Sequence, residues 1–267
     1  MLTMPKIGFG TWMRRGAEGQ RSIEAALARG YRHIDTAQGY ENEGICGLAL
    51  AQSGLKRDEV FITTKLKHHH AGRDLFLPTV EESLVRLRVD RVDLLLIHWP
   101  PDEAEVPMAS YIADLVRVRE LGLASMIGFS NFTQALIQRA EAIAGRGAFE
   151  MLQIEAHPFH QNRAMARFCA ERGMSVTAFS PLALGRVASD PVLLAIAAEV
   201  GGTPAQVALA FLIGRGFAVI PASARPEHMA DNLQAGDLVL TAEQMARIDG
   251  LERGQRLLSP DHAPDWD

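Results

Sequence analysis

Apolar residues in this chain cluster in two alternating ways. Short continuous runs predict strands at 6–12, in the segment ending at Asp35, and at 60–64, 92–97, 125–129, 151–154, 175–179 and 217–220, with a short last one at 237–239. Between them, apolar positions recur every three or four residues. That spacing predicts helices at 20–29, 43–53, 77–87, 111–121, 133–143, 163–172, 192–200, 205–213 and 227–233. Thr241 and Gln244 stand at the spacing of a capping box and start one more helix. Strands that alternate with helices through short connections imply a parallel sheet with helices outside it. Roughly eight such units predict an α/β fold of the (β/α)8 TIM-barrel type, one domain over residues 1–267. The competing doubly wound sheet lacks its mark, because no GxGxxG follows any of the runs.

Composition narrows the function classes. A formal charge of −5 over 267 residues offers no basic field to collect phosphates, which argues against nucleic acid as a partner. No apolar segment reaches membrane-spanning length, and Gly and Pro interrupt the N-terminus before a signal-type run forms. The expectation is a soluble cytoplasmic protein without a membrane partner. Cys46 and Cys169 are too few for a disulfide framework and read as buried thiols.

The chemistry gathers at the ends of the runs. Asp35, Lys65 and His98 close three consecutive apolar stretches, and Tyr40 follows Asp35 by five residues. In an α/β barrel the C-terminal strand ends carry the active site. Taken as the ends of the first three barrel strands, these side chains converge at one edge of the mouth. An acid, an amine, an imidazole and a phenol suit proton transfer to a carbonyl oxygen. A nearby ammonium is expected to lower the tyrosine pKa, with Asp35 keeping Lys65 charged. Later strand ends carry neutral polar groups, namely Ser130, Asn131, Gln153, Ser180 and Ser223, which suit a carboxamide; Phe179 offers a face for stacking.

These residues also carry a resemblance. GFGTW, HIDTAQGYENE, TTK, LIHWP, GFSNF, QIEAHP, AFSPL and VIPAS, in this order from Lys6 to the tail, resemble the aldo-keto reductases. The loop after His98 and the ending SPDHAPDWD resemble the bacterial 2,5-diketo-D-gluconate reductase B branch, whose members also reduce small aldehydes such as methylglyoxal. The resemblance implies Tyr40 as general acid, Lys65 and Asp35 tuning it, and His98 orienting the carbonyl. It implies an NADPH site made by Gly10, Thr11, Trp12, Asp35, Ser130, Asn131 and Gln153 around a nicotinamide stacked on Phe179. The pyrophosphate would lie near Ser180, Pro181 and Leu182, and the adenosine phosphate near Ser223, Arg225 and Asn232. Trp12, Tyr40, His98 and Trp99 would border a small carbonyl substrate. Phe179 stands where the family often has Tyr, Ala222 where it has Lys, His228 where it has Arg and Asp231 where it has Glu. Those departures remove common 2′-phosphate partners, leave Arg225 to replace them, and keep NADH open beside NADPH.

Other readings compete. His68, His69 and His70 suggest a metal, but consecutive residues do not aim at one ion and no HxH or HExxH is present, so a solvated rim is expected and no metal. The mouth residues Trp12, Trp99 and the segment 68–73 favour a small polar or anionic carbonyl compound. A Schiff-base lyase would need a neutral Lys65. A cofactor-sensing subunit with little turnover is the non-enzymatic alternative. A monomer is the family's usual state.

Overall fold

The first short strand sets the fold, because it closes the ring. The computed structural model describes residues 2–72 and 74–266. Eight strands, β1 (Phe9–Gly10), β2 (His33–Asp35), β3 (Phe61–Leu66), β4 (Val92–Ile97), β5 (Ala124–Ser130), β6 (Met151–Glu155), β7 (Ser175–Phe179) and β8 (Phe217–Val219), pair in parallel in chain order. Ile7 bridges Val219 in parallel. Gly8 N donates to Val219 O at 2.8 Å, and Gly10 N to Pro221 O at 3.1 Å. The sheet is therefore a closed (β/α)8 barrel.

Two expectations need correction. The segment 6–12 is laddered with β2 only at Phe9–Gly10, and it is barrel strand one. Asp35, Lys65 and His98 accordingly mark β2, β3 and β4 rather than the first three strands. The strand expected at 237–239 does not form: Ala235–Asp237 is a 3-10 turn and Val239 is 86% exposed. Its place beside β8 is already filled by the segment holding β1, so no ladder is left for it to join.

Among the described residues ten helices cover the ring: α1 (Gly16–Ala28), α2 (Glu43–Gln52), α3 (Phe76–Leu87), α4 (Met108–Glu120), α5 (Gln134–Ala144), α6 (Arg163–Ala170), α7 (Pro191–Val200), α8 (Pro204–Gly214), α9 (Pro226–Gln234) and α10 (Ala242–Asp249). The capping box at Thr241 and Gln244 is present, and Thr203 and Gln206 make a second one before α8. Among the described residues no single helix is long and apolar enough to cross a membrane. The pair α7 and α8 passes jointly, but it bends by 89° and buries Leu193, Ile196, Val207 and Leu209 in the core.

Strand alternation sorts the barrel interior into layers. On β3, Phe61, Thr63 and Lys65 share one face. At the N-terminal end Phe61, Leu94, Leu96 and Met151 form an apolar plug, with Leu2, Met4 and Met126 packed against it. One layer up, His33 Nε2 and Thr63 Oγ1 lie 3.0 Å apart. The layer above holds Asp35, Lys65 and Gln153. Gly128 lets β5 approach β6, since a Cβ there would fall 2.1 Å from Met151 O.

Candidate active site

The interior register brings the acid and the amine together. Lys65 Nζ donates to Asp35 Oδ1 at 2.5 Å and to Thr36 O at 2.9 Å, and Gln153 Nε2 donates to Asp35 Oδ2 at 2.7 Å. Lys65 is 0% exposed and Asp35 1%. Burial works to lower the Lys65 pKa, but the Asp35 carboxylate and Tyr40 outweigh it, and the ammonium is held above its ordinary value. A lysine kept charged in this way is a poor Schiff-base nucleophile.

Tyr40 ends a 3-10 turn, Gln38–Tyr40, that folds the β2 loop back over the mouth. Its ring lies 5.1 Å from Lys65 Nζ and meets the His98 ring edge-on at 5.4 Å. Gln38 holds the turn: its Nε2 donates to Thr79 O and Ser83 Oγ, and its Oε1 accepts Lys67 N and faces His70 Nδ1 at 2.9 Å. The expected fall in the Tyr40 pKa does not occur. Tyr40 is half-buried and lines the cavity, but burial raises the phenol pKa, Asp35 adds to the rise, and the opposing pull of Lys65 is smaller. The group is thus a fully protonated donor at neutral pH. The His98 imidazole is pushed well below its ordinary value by burial first and by Lys65 next, so it is neutral and keeps one N–H to donate.

A cavity of about 760 Å³ opens above these groups, within the usual range for a ligand site. Its wall contains Gly10, Thr11, Trp12, Asp35, Tyr40, His98 and Trp99 on one side. Ser130, Asn131, Gln153, Phe179, Ser180, Pro181 and Leu182 complete the other. Lys65 sits just behind Asp35 and Tyr40. Asn131, Ser180 and Leu184 on this wall adopt left-handed backbone, with φ of 62, 49 and 54°. Such non-glycine residues concentrate at functional sites. Asn131 Nδ2 donates to His98 O and Ser130 Oγ, whereas its Oδ1 is buried with no hydrogen-bond partner. An orphaned carbonyl oxygen on a cavity wall fits the NH2 of a carboxamide. Gln153, by contrast, already spends one of its two amide N–H groups on Asp35.

Ser223, Arg225 and Asn232 do not line this cavity. Ser223 Oγ accepts Arg225 N at 3.1 Å, Arg225 is exposed at the rim, and Asn232 is buried in α9. Their neighbours Ala222 and His228 line it instead. The sequence reading also missed the C-terminal tail, whose Leu257, Leu258, Ser259 and Pro260 form part of the wall. The adjacent leucines in an otherwise polar tail were the available signal. At the rim, His68–His70 forms a 3-10 turn, and His68 stacks on His262 with ring centroids 4.3 Å apart. Among the described residues no three His, Cys, Asp or Glu side chains form a group able to hold a metal. Arg73, included in the expected mouth segment, lies outside the described residues.

With this geometry in place, known proteins give a consistent match. The Aldo/keto reductase family model matches residues 6–253. The chain belongs to the aldo/keto reductase family. With it the chain joins the oxidoreductases that act on carbonyl groups. It is 42% identical over 267 residues to methylglyoxal reductase DkgB of Yersinia pestis, covering 100% of both chains. An aldo-keto reductase of Mycolicibacterium vanbaalenii is 41% identical over 95% of this chain and 90% of its own. Among solved structures, a protein provisionally assigned as a 2,5-diketo-D-gluconic acid reductase B superposes with a TM-score of 0.94 at 38% identity, covering 99% of this chain and 94% of that one. The aldose reductase of Schistosoma japonicum gives 0.92 at 31% identity, with 98% and 95% coverage.

Proposed function

We propose that the protein reduces small aldehydes or ketones, of the methylglyoxal or 2,5-diketo-D-gluconate kind, to alcohols with NADPH, and that Tyr40 is the general acid. The observation that carries this reading is the Tyr40 side chain on the cavity lining, packed at once against Lys65 Nζ and the His98 ring. A carbonyl oxygen seated between Tyr40 and His98 accepts hydrogen bonds from both. As negative charge grows on that oxygen, Tyr40 gives up its proton. The phenolate left behind is stabilised by Lys65, which Asp35 holds charged and in place. When bound, a reduced nicotinamide supplies the hydride. Asn131 Oδ1 and Ser130 suit its carboxamide, Phe179 its ring, and Ser180, Pro181 and Leu182 its pyrophosphate. Gly10, Thr11 and Trp12 border it, with Gln153 held on Asp35 beside it. Beyond the cavity, the exposed Arg225 guanidinium beside Ser223 suits a 2′-phosphate, which favours NADPH over NADH. Asn232 is buried behind them and would support that corner.

The test mixes the protein with NADPH or NADH and either carbonyl compound and follows loss of reduced-cofactor absorbance. Tyr40→Phe is expected to lower kcat by about 100-fold or more, with the dissociation constant for the reduced cofactor unchanged. Turnover surviving in Tyr40→Phe would remove the tyrosine from the acid role. Tight cofactor binding without turnover of any carbonyl in wild type would instead favour a sensing subunit.

A further inference from the structure

We propose that Glu155 is a positioning residue that seats the C-terminal strap, residues 256–266, over the substrate side of the cavity. The inference rests on the carbonyl-reductase reading for its kinetic consequence, but not for its geometry.

Glu155 ends β6 and is 0% exposed, yet the reaction has no use for its charge. Its carboxylate is committed to the tail: Oε1 accepts Leu257 N at 2.7 Å and Oε2 accepts Leu258 N at 2.9 Å. His157 Nε2 completes the set at 3.0 Å from Oε1. Phe159 N donates to His157 Nδ1 at 3.2 Å, which leaves the ring proton on Nε2, aimed at the carboxylate. Burial alone would raise the Glu155 pKa, but these three N–H donors outweigh it and keep the carboxylate ionised. Charge-assisted bonds of this kind are about twice as strong as neutral ones. Two of the three donors are backbone groups of the strap, so Glu155 dictates the path of the chain rather than reading its side chains.

What that path builds is a cavity wall. The two clamped residues and the two that follow, Leu257 to Pro260, line the same cavity as His98 and Trp99. Further on, His262 stacks on His68 and meets Trp99 at 5.3 Å, and Trp266 meets Trp99 at 6.2 Å. The Arg256 guanidinium lies 3.5 Å from the Trp266 ring centroid. These ring contacts are at the exposed rim, and the strap has no helix or ladder of its own. The buried carboxylate is its firm attachment. A strap so held excludes water from the side where the carbonyl compound sits, away from Ser180 and Leu182.

Glu155→Gln keeps the volume but turns an NH2 toward one of the backbone donors. The expected result is a rise of about 10-fold in KM for the carbonyl substrate, with kcat and the cofactor dissociation constant each within about 3-fold. In parallel, trypsin should release the strap after Arg256 at least ten times faster than in wild type. Leu258→Pro deletes one donor without touching the barrel and leaves the Arg256–Leu257 bond open to trypsin, so it should reproduce both effects and carries the test alone if Glu155→Gln does not fold. Wild-type resistance to trypsin in the variants would overturn the clamp. A freed strap with unchanged KM would overturn its positioning role. Parallel loss of kcat, cofactor affinity and Tm would reduce Glu155 to a purely structural residue and overturn it as well. If wild type itself turns over no carbonyl compound, the reductase reading has failed, and the trypsin comparison still decides the clamp.

Discussion

Replacing Lys65 with methionine separates what the buried ion pair does for folding from what it does for chemistry. The two charges lie 2.5 Å apart and are 0 and 1% exposed, so at an effective dielectric of 20 their attraction is about 7 kcal/mol. Desolvation costs several kcal/mol for each ion, so the pair as a whole contributes little net stability. Removing one partner is different. Lys65→Met leaves Asp35 with the single side-chain donor Gln153 Nε2, at a predicted cost of about 3–5 kcal/mol. In the double variant Asp35→Asn, Lys65→Met no buried charge is stranded and the Asn oxygen still accepts from Gln153. Its stability should fall within about 2 kcal/mol of wild type, so it should be more stable than Lys65→Met by at least about 1 kcal/mol. Both variants should be catalytically dead, since neither stabilises a Tyr40 phenolate. Urea unfolding followed by far-UV circular dichroism at pH 7, extrapolated linearly, reads the stabilities. The reasoning fails if Lys65→Met costs no more than an exposed lysine, or if the double variant is less stable than the single one.

Two further predictions concern stability. His33, 1% exposed, is held down to about 4 by burial first, against the opposing pull of Asp35. The unfolded chain binds its proton near pH 6.5 while the folded chain cannot, so this group's stabilisation is complete above pH 6.5 and is lost as pH falls toward 4. At 1.36 kcal/mol per pH unit the full loss is about 3 kcal/mol, and His33→Asn should flatten the stability difference between pH 7 and 4.5 by about 2.5 kcal/mol; an unchanged difference would refute it. Gly47→Ala puts a Cβ 2.4 Å from Arg86 O, so in place of the gain of about 1 kcal/mol usual for Gly-to-Ala in a helix, denaturant titration should show a loss of about 2 kcal/mol.

Particular residues show where the sequence was legible. The runs that end in Asp35 and Lys65 and the run that holds Gln153 could be read as barrel strands because a buried parallel strand is continuously apolar, and a period of two then puts these polar residues on the interior face. Ser130, Asn131 and Ser180 were readable as polar breaks at strand ends, and the structure places all three on the lining of one cavity. The 6–12 and 237–239 segments were not separable in the same way. Both are short and apolar, and which one completes the ring depends on what β8 bonds to across the barrel.

By itself, then, the sequence determined the alternation, the family and the set of reactive side chains, because each is written in local periodicity or in residue type. Only the tertiary structure decided the closing strand, the direction in which burial and charge push the Tyr40 phenol, the orphaned oxygen of Asn131 and the hold of Glu155 on the tail. The physical reason is common to all four. Burial and hydrogen bonding are set by groups distant in the chain, such as Glu155 and Leu257, 102 residues apart. No local pattern carries the balance between desolvation and charge that those meetings create.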